Sequence, residues 1–261
     1  MTQPALFISH GSPMLALTPS PARSFLAGLA AGLSRPRAIL VLSAHWETAT
    51  VMVNAVTGNE TIHDFFGFPQ ALYDLRYPAP GDIGLAEQIA DLLTSAGFPT
   101  GLDRTRGLDH GAWVPLLLSF PAAEIPVLQL SVQTREGPQH ALALGRALTP
   151  LRAEGVLIIG SGSFTHDLRR FRGQPIDDPE SPDVTQFSDW MDEAIARSDI
   201  EALLAYRERA PFARAEHPTE EHILPLFTTI GAGEGGKARR LHHSTEYGIL
   251  RMDAYGFGLS A

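Results

Sequence analysis

Three short apolar runs set the terms for how this chain can fold. Residues 4–9 (PALFIS), 38–44 (AILVLSA) and 156–159 (VLII) carry at most one small polar residue each. A strand with one wet face alternates apolar and polar residues. An unbroken run instead marks a strand covered on both faces, as in a parallel sheet between helical layers. The stretches between the runs read as helices. Ser20-Pro21 supplies an N-cap and a first helical residue for a helix reaching about Ser34. Helices are also expected over 83–96, 111–120, 140–151, 182–197 and 200–207, a further strand over 126–132, and a last pair of strands near 238–242 and 251–257. Strands alternating with helices predict an α/β fold with three layers: an open, mostly parallel sheet with helices on both faces. Residues 1–261 show no internal repeat, linker or low-complexity tract, so one domain is expected.

Composition removes several chemistries. There is no cysteine, which excludes disulfides, thiolate zinc sites, iron–sulfur clusters and cysteine nucleophiles. The formal net charge is −9, and the nearest thing to a basic cluster is Arg169–Arg170 or Arg239–Arg240, so no nucleic-acid partner is expected. Residues 1–8 lack the basic and long apolar regions of a signal peptide, and no run approaches a membrane span. A cytoplasmic protein without a membrane partner is the expectation.

Ten histidines carry the functional argument. His10 and His45 each follow an apolar strand, in FIS-His10-GSP and LSA-His45-W. Open α/β sheets bind ligands beyond the carboxyl ends of their strands, so two histidines delivered there can share a metal; alternatively, each caps its strand. His166 follows the strand 156–160 and the run Gly160-Ser161-Gly162-Ser163, which lacks the signatures of a dinucleotide fingerprint, a P-loop or a nucleophile elbow. The glycines are taken as a tight turn, and His166 as a candidate base or ligand at the same edge. His110, in LDHGAW beside Asp109, either orients a substrate or caps a buried helix. Phe65 and Phe68, in HDFFGFP, either wall a pocket or belong to the core.

The segment 217–226 (HPTEEHILPL) is read as a helix starting at Pro218, where proline is tolerated. At about 100° per residue, Ile223, Leu226, Phe227 and Ile230 share a buried face. His222 falls on its rim and Glu221 on the solvated side, so Glu221→Ala is expected to do little. His217 falls about 140° from His222 on this wheel, which suits a pocket-lining residue ahead of the helix better than a ligand to the same ion.

HGSP, SAHW, HDFFGFP, LDHGAW, GSG-x₃-H and HPT-x₂-H-x₂-PL follow one another in this order over nearly the whole chain. Together they resemble the class III extradiol ring-cleaving dioxygenases, in the branch of the DOPA 4,5-dioxygenases. The resemblance implies a non-haem iron(II) enzyme with an open α/β fold and a single catalytic domain. It maps metal ligands onto His10, His45 and His222. It maps the acid–base histidine onto His166, which in some descriptions is a fourth metal contact. His110 and His217 map onto substrate-contacting positions, with His110 counted beside His166 among the catalytic residues and Phe65, Phe68 and Trp113 beside His217 around the substrate. Relatives with another substrate range use a glutamate as third ligand, where this chain has His222.

Three neutral imidazoles leave the ion at its full charge, which favours a catecholate and also suits Zn(II). The implied substrates are a small dopa-like catechol and O2. His166 would accept a substrate proton and return it as the O–O bond breaks. A zinc hydrolase or lyase using the same histidines is the alternative reading.

Overall fold

The computed structural model describes residues 2–233 and 237–259. Its strands are β1 (Ala5–Ser9), β2 (Ala38–Glu47), β3 (Val51–Asn54), β4 (Thr100–Asp103), β5 (Val127–Val132), β6 (Val156–Gly162), β7 (Ala238–His242), β8 (Thr245–Glu246), β9 (Leu250–Arg251) and β10 (Ala254–Phe257). Eight of them form one sheet in the order β4-β3-β5-β2-β6-β1-β10-β7, while β8 and β9 make a separate hairpin. The central strands β5, β2, β6 and β1 run parallel. Towards the edges β3 opposes β5, β10 opposes β1, and β7 opposes β10.

The apolar runs behave as doubly covered strands. Along them successive side chains enter two separate cores. Ala5, Phe7, Leu40, Leu42, Leu128 and Ile158 face the helices Ile83–Ser95, Gly137–Ala153, Pro182–Ala196 and Leu224–Ala232. Leu6, Ile8, Ile39, Val41, Val127 and Ile159 face the helices Pro21–Leu29 and His110–Ser119. This is a three-layer α/β fold with a mostly parallel, mixed sheet and helices on both faces.

Several boundaries differ from the sequence expectations. β2 does not stop at Ala44. It continues to Glu47 with a register irregularity between Leu42 and Glu47, so His45 sits inside the strand at a distortion, a device that re-aims side chains near sites. The helix expected from Pro218 begins at Leu224 instead, with Pro225 taking the first-turn position. Both prolines suit a helix start, and the second is the one used. Residues 218–223 are turns, so the helical wheel does not describe Glu221 or His222.

The glycines taken as a tight turn lie instead within β6, which includes Gly160 and Gly162. A Cβ on Gly162 would lie 2.0 Å from the carbonyl oxygen of His222, and one on Gly160 would lie 2.3 Å from that of Pro225. Bare backbone is what lets the 222–225 segment reach the sheet. Ser163 N–H seals this contact by donating to His222 O at 2.9 Å.

Candidate metal centre and active site

Because β1, β2 and β6 run parallel, their carboxyl ends share one edge of the sheet. His10 follows β1, His45 lies near the end of β2, and His222 is brought against the end of β6 by the glycine contact. One ring nitrogen from each of the three lies within 4.8 Å of the others.

Hydrogen bonds fix the tautomers of His10 and His222. Ser161 Oγ–H donates to Gly111 O, so it can only accept from His10 Nδ1, 3.0 Å away. His10 Nδ1 therefore carries the proton and Nε2 a lone pair. His222 Nδ1 donates to Glu221 Oε1 at 2.9 Å, which leaves its Nε2 buried, unprotonated and without a partner. His45 Nδ1 lies 3.6 Å from Asp64 Oδ2, and its Nε2 faces His10 Nε2 at 3.0 Å. The lone pairs of His10 and His222 thus converge with the Nε2 of His45, which carries a third once Nδ1, on the Asp64 side, holds the ring proton. A divalent cation answers all three at once, and the donor set of three neutral imidazoles fits such an ion.

Electrostatics keep the rings in that state. Burial pushes His10 and His222 well below the usual histidine range, and neighbouring histidines push them further. Burial, then the nearby His110, lowers His45 to about 4 against the opposing pull of Asp109 and Asp64. At neutral pH protons do not compete for these nitrogens.

His166 stands beside this group. Its ring stacks on that of His222, with centroids 3.4 Å apart and planes 13° off parallel. Burial lowers it to about 4, only partly offset by Glu221, so it is neutral and able to accept a proton. His110 lies across the group, its ring 4.0 Å from that of His45.

Asp64, which the sequence reading did not single out, is the carboxylate that engages His110 and lies 3.6 Å from His45. Its Oδ2 is 3.0 Å from His110 Nδ1, and its Oδ1 accepts the His110 backbone N–H at 2.9 Å. Burial alone would raise its carboxyl, but the bonds to His110 hold it down near 2. Asp109, the sequence neighbour of His110, caps the 110–119 helix and is bound by Ser43, Gln129 and Arg106.

These groups open onto a cavity of about 590 Å³. His10, His45, Asp64, His110 and His166 lie at its inner end, and Phe65, Phe66, Phe68, Leu168, Phe171 and Tyr247 contribute to its walls and mouth. Two residues expected around the substrate stand behind the wall. His217 is fully buried, its Nε2–H donating to Phe164 O at 2.9 Å. Trp113 is buried with its indole N–H on Ile62 O at 2.9 Å, its ring 6.3 Å from that of Phe65.

Glu221 is the sharpest departure from the sequence reading. Freed from a helix, its side chain turns inward and orients His222. Outer partners of this kind fix ligand tautomer and ring direction. Glu221→Ala is therefore expected to weaken metal binding by about 10- to 100-fold, measured by competition against a chelator. Unchanged affinity would show that the 2.9 Å contact has no orienting role.

A mostly parallel sheet whose strand ends bring together three histidines that could hold a metal ion, beside an aromatic cavity, narrows the class of enzyme, and comparison identifies it. Residues 4–258 match the family described as the catalytic LigB subunit of aromatic ring-opening dioxygenase, so the chain belongs to that family, the class III extradiol enzymes. It is an aromatic ring-opening oxidoreductase of the 4,5-DOPA dioxygenase-like kind. Among its relatives is a 4,5-DOPA dioxygenase extradiol from Beta vulgaris, 46% identical over 96% of this chain and 95% of that protein. One of the same description from Escherichia coli K12 is 39% identical over 89% of this chain and 86% of the relative. A solved structure of an uncharacterized E. coli K12 protein superposes with a TM-score of 0.82 at 32% identity, covering 98% of this chain and all of the other. No helix among the described residues is long and apolar enough to cross a membrane.

Proposed function

We propose that the chain, acting as one catalytic domain over residues 1–261, opens the ring of a catechol with dioxygen beside an iron(II) ion held by His10, His45 and His222. The observation that carries this reading is the convergence of one ring nitrogen each from His10, His45 and His222 within 4.8 Å, beside an aromatic-walled cavity. The names of the relatives make dopa the first catechol to try. Held by His10, His45 and His222, an iron ion would supply the redox chemistry that couples a catechol to O2.

The protein's own groups do the rest. His166, neutral and lining the cavity, takes the proton that a catechol hydroxyl gives up and returns it later in the cycle. His110 presents its second nitrogen to the substrate while Asp64 holds the first. Phe65 and Phe68 confine the ring, and their apolar faces limit water around the reacting atoms. Trp113 braces Phe65 from behind, and His217, locked on Phe164 O, supports the 164–166 loop.

The same three-nitrogen set suits zinc, which would favour water activation over oxygen chemistry. Oxygen uptake after anaerobic reconstitution separates the two readings. With L-dopa and simple catechols, uptake and a yellow ring-opened product are expected with iron and not with zinc. Absence of uptake with any catechol at stoichiometric iron, together with hydrolytic activity that follows zinc, would overturn the proposal.

A further inference from the structure

His45 stands where its strand has left the sheet ladder. The pairing of β2 with β6 ends at Ser43, and its pairing with β5 passes from Leu42 to Glu47. A peptide group without ladder partners must be bonded by other groups. His45 has a side chain on each side of it. Its N–H donates to Ser43 Oγ at 3.2 Å, and its carbonyl accepts from Arg106 Nη2 at 3.3 Å.

Both side chains end on one carboxylate. Ser43 Oγ–H donates to Asp109 Oδ1 at 2.6 Å, and the Arg106 nitrogen that reaches His45 also reaches Asp109 Oδ2 at 2.8 Å. The Asp109 side chain has no exposed surface, and Gln129 Nε2 on β5 donates to it as well. The Arg106 guanidinium is steadied by Trp46, the residue after His45, with 4.8 Å between its central carbon and the centre of the indole. Asp109 Oδ1 also accepts the Ala112 N–H at 3.3 Å, capping the helix whose first residue is His110. One buried carboxylate thus ties the backbone of His45 to the start of the His110 helix, and the two rings lie 4.0 Å apart. Gly111 permits this closeness, since a Cβ there would lie 3.1 Å from the His45 ring.

We propose that Arg106 is a positioning residue for the metal centre: with Ser43 it brackets the peptide group of His45 against the buried carboxylate of Asp109, and so fixes where the His45 ring stands relative to His10 and His222. The proposal rests on His45 being a metal ligand, as read above, and adds the groups that hold it in place. Neither Arg106 nor Ser43 touches the ion or the substrate. Their effect reaches the centre only through the backbone of one ligand.

The test reads the metal rather than turnover. Zinc affinity is measured by competition against a chelator, and ligand geometry by the visible bands of the cobalt(II)-loaded protein. Arg106→Met removes the donor to the His45 carbonyl. Ser43→Ala removes the acceptor of its N–H and leaves the Arg106–Asp109 pair in place, so it decides the matter if Arg106→Met does not fold. Each is expected to bind zinc about 10- to 100-fold more weakly, as when an outer partner of a ligand is lost, and to shift the cobalt bands. Leu148→Ala, a cavity-forming change in the core outside this network, is expected to lower the unfolding temperature and move neither readout. Wild-type affinity in Ser43→Ala or in folded Arg106→Met would overturn the proposal, as would an equal loss in Leu148→Ala. His45→Ala is measured alongside. Wild-type affinity there would remove His45 from the ligand set and the proposal with it, whereas loss there alone would keep the metal reading and overturn only the bracket.

Discussion

Alanine in place of His10, His45 or His222 is expected to leave a folded protein that no longer retains metal through gel filtration. The three ring nitrogens lie within 4.8 Å of each other, so each substitution removes a third of the proposed donor set. The loss should exceed the roughly 10- to 100-fold weakening typical of an outer partner such as Glu221. His222 is the most telling of the three. Its Nε2 is buried with no protein partner while Glu221 holds its Nδ1, the arrangement a nitrogen reserved for an ion requires. Metal-to-protein ratios measured after reconstitution decide the matter, and a variant that keeps a full complement would remove that histidine from the ligand set.

The opposite pattern is expected at His166. Its ring lies flat on His222 and lines the cavity, but it is not part of the three-histidine group. His166→Ala should keep its metal while kcat falls by about 10²- to 10⁴-fold, the usual contribution of a positioned acid–base group, with KM changing far less. Metal loss as deep as in the three ligand variants would make His166 a fourth ligand. Unimpaired turnover would move the proton transfer elsewhere, with His110 the next candidate.

How much of this was legible in the sequence depended on how local each signal was. The unbroken apolar runs announced strands buried on both sides, because covering by helices removes any need for alternation. β3 and β4 went unread: each spans four residues, and the Thr100–Asp103 strand is only half-buried along its length. The ends of β1 and β2 pointed to His10 and His45 because strand ends are where a parallel sheet offers its ligands. Glu221 was misplaced because two prolines seven residues apart both qualify as a helix start, and nothing local chooses between Pro218 and Pro225. Asp64 sat in plain view inside HDFFGFP. Its function depends on meeting His110, 46 residues away, and no spacing rule reports that encounter.

The approach of His222 to Gly162 has a bearing on how such a centre can change over time. The ligand's position is held by a backbone carbonyl resting where a side chain would otherwise be. The identity of residue 222 is thus uncoupled from the architecture that delivers it. A different donor could be exchanged at that point without rebuilding the sheet, the helix or the cavity. Residue 162 has no such freedom: the smallest added methyl would drive the carbonyl, and the donor attached to it, away from its two companions. The most tolerant position of the centre and the least tolerant one are therefore neighbours, separated by a single hydrogen bond's width.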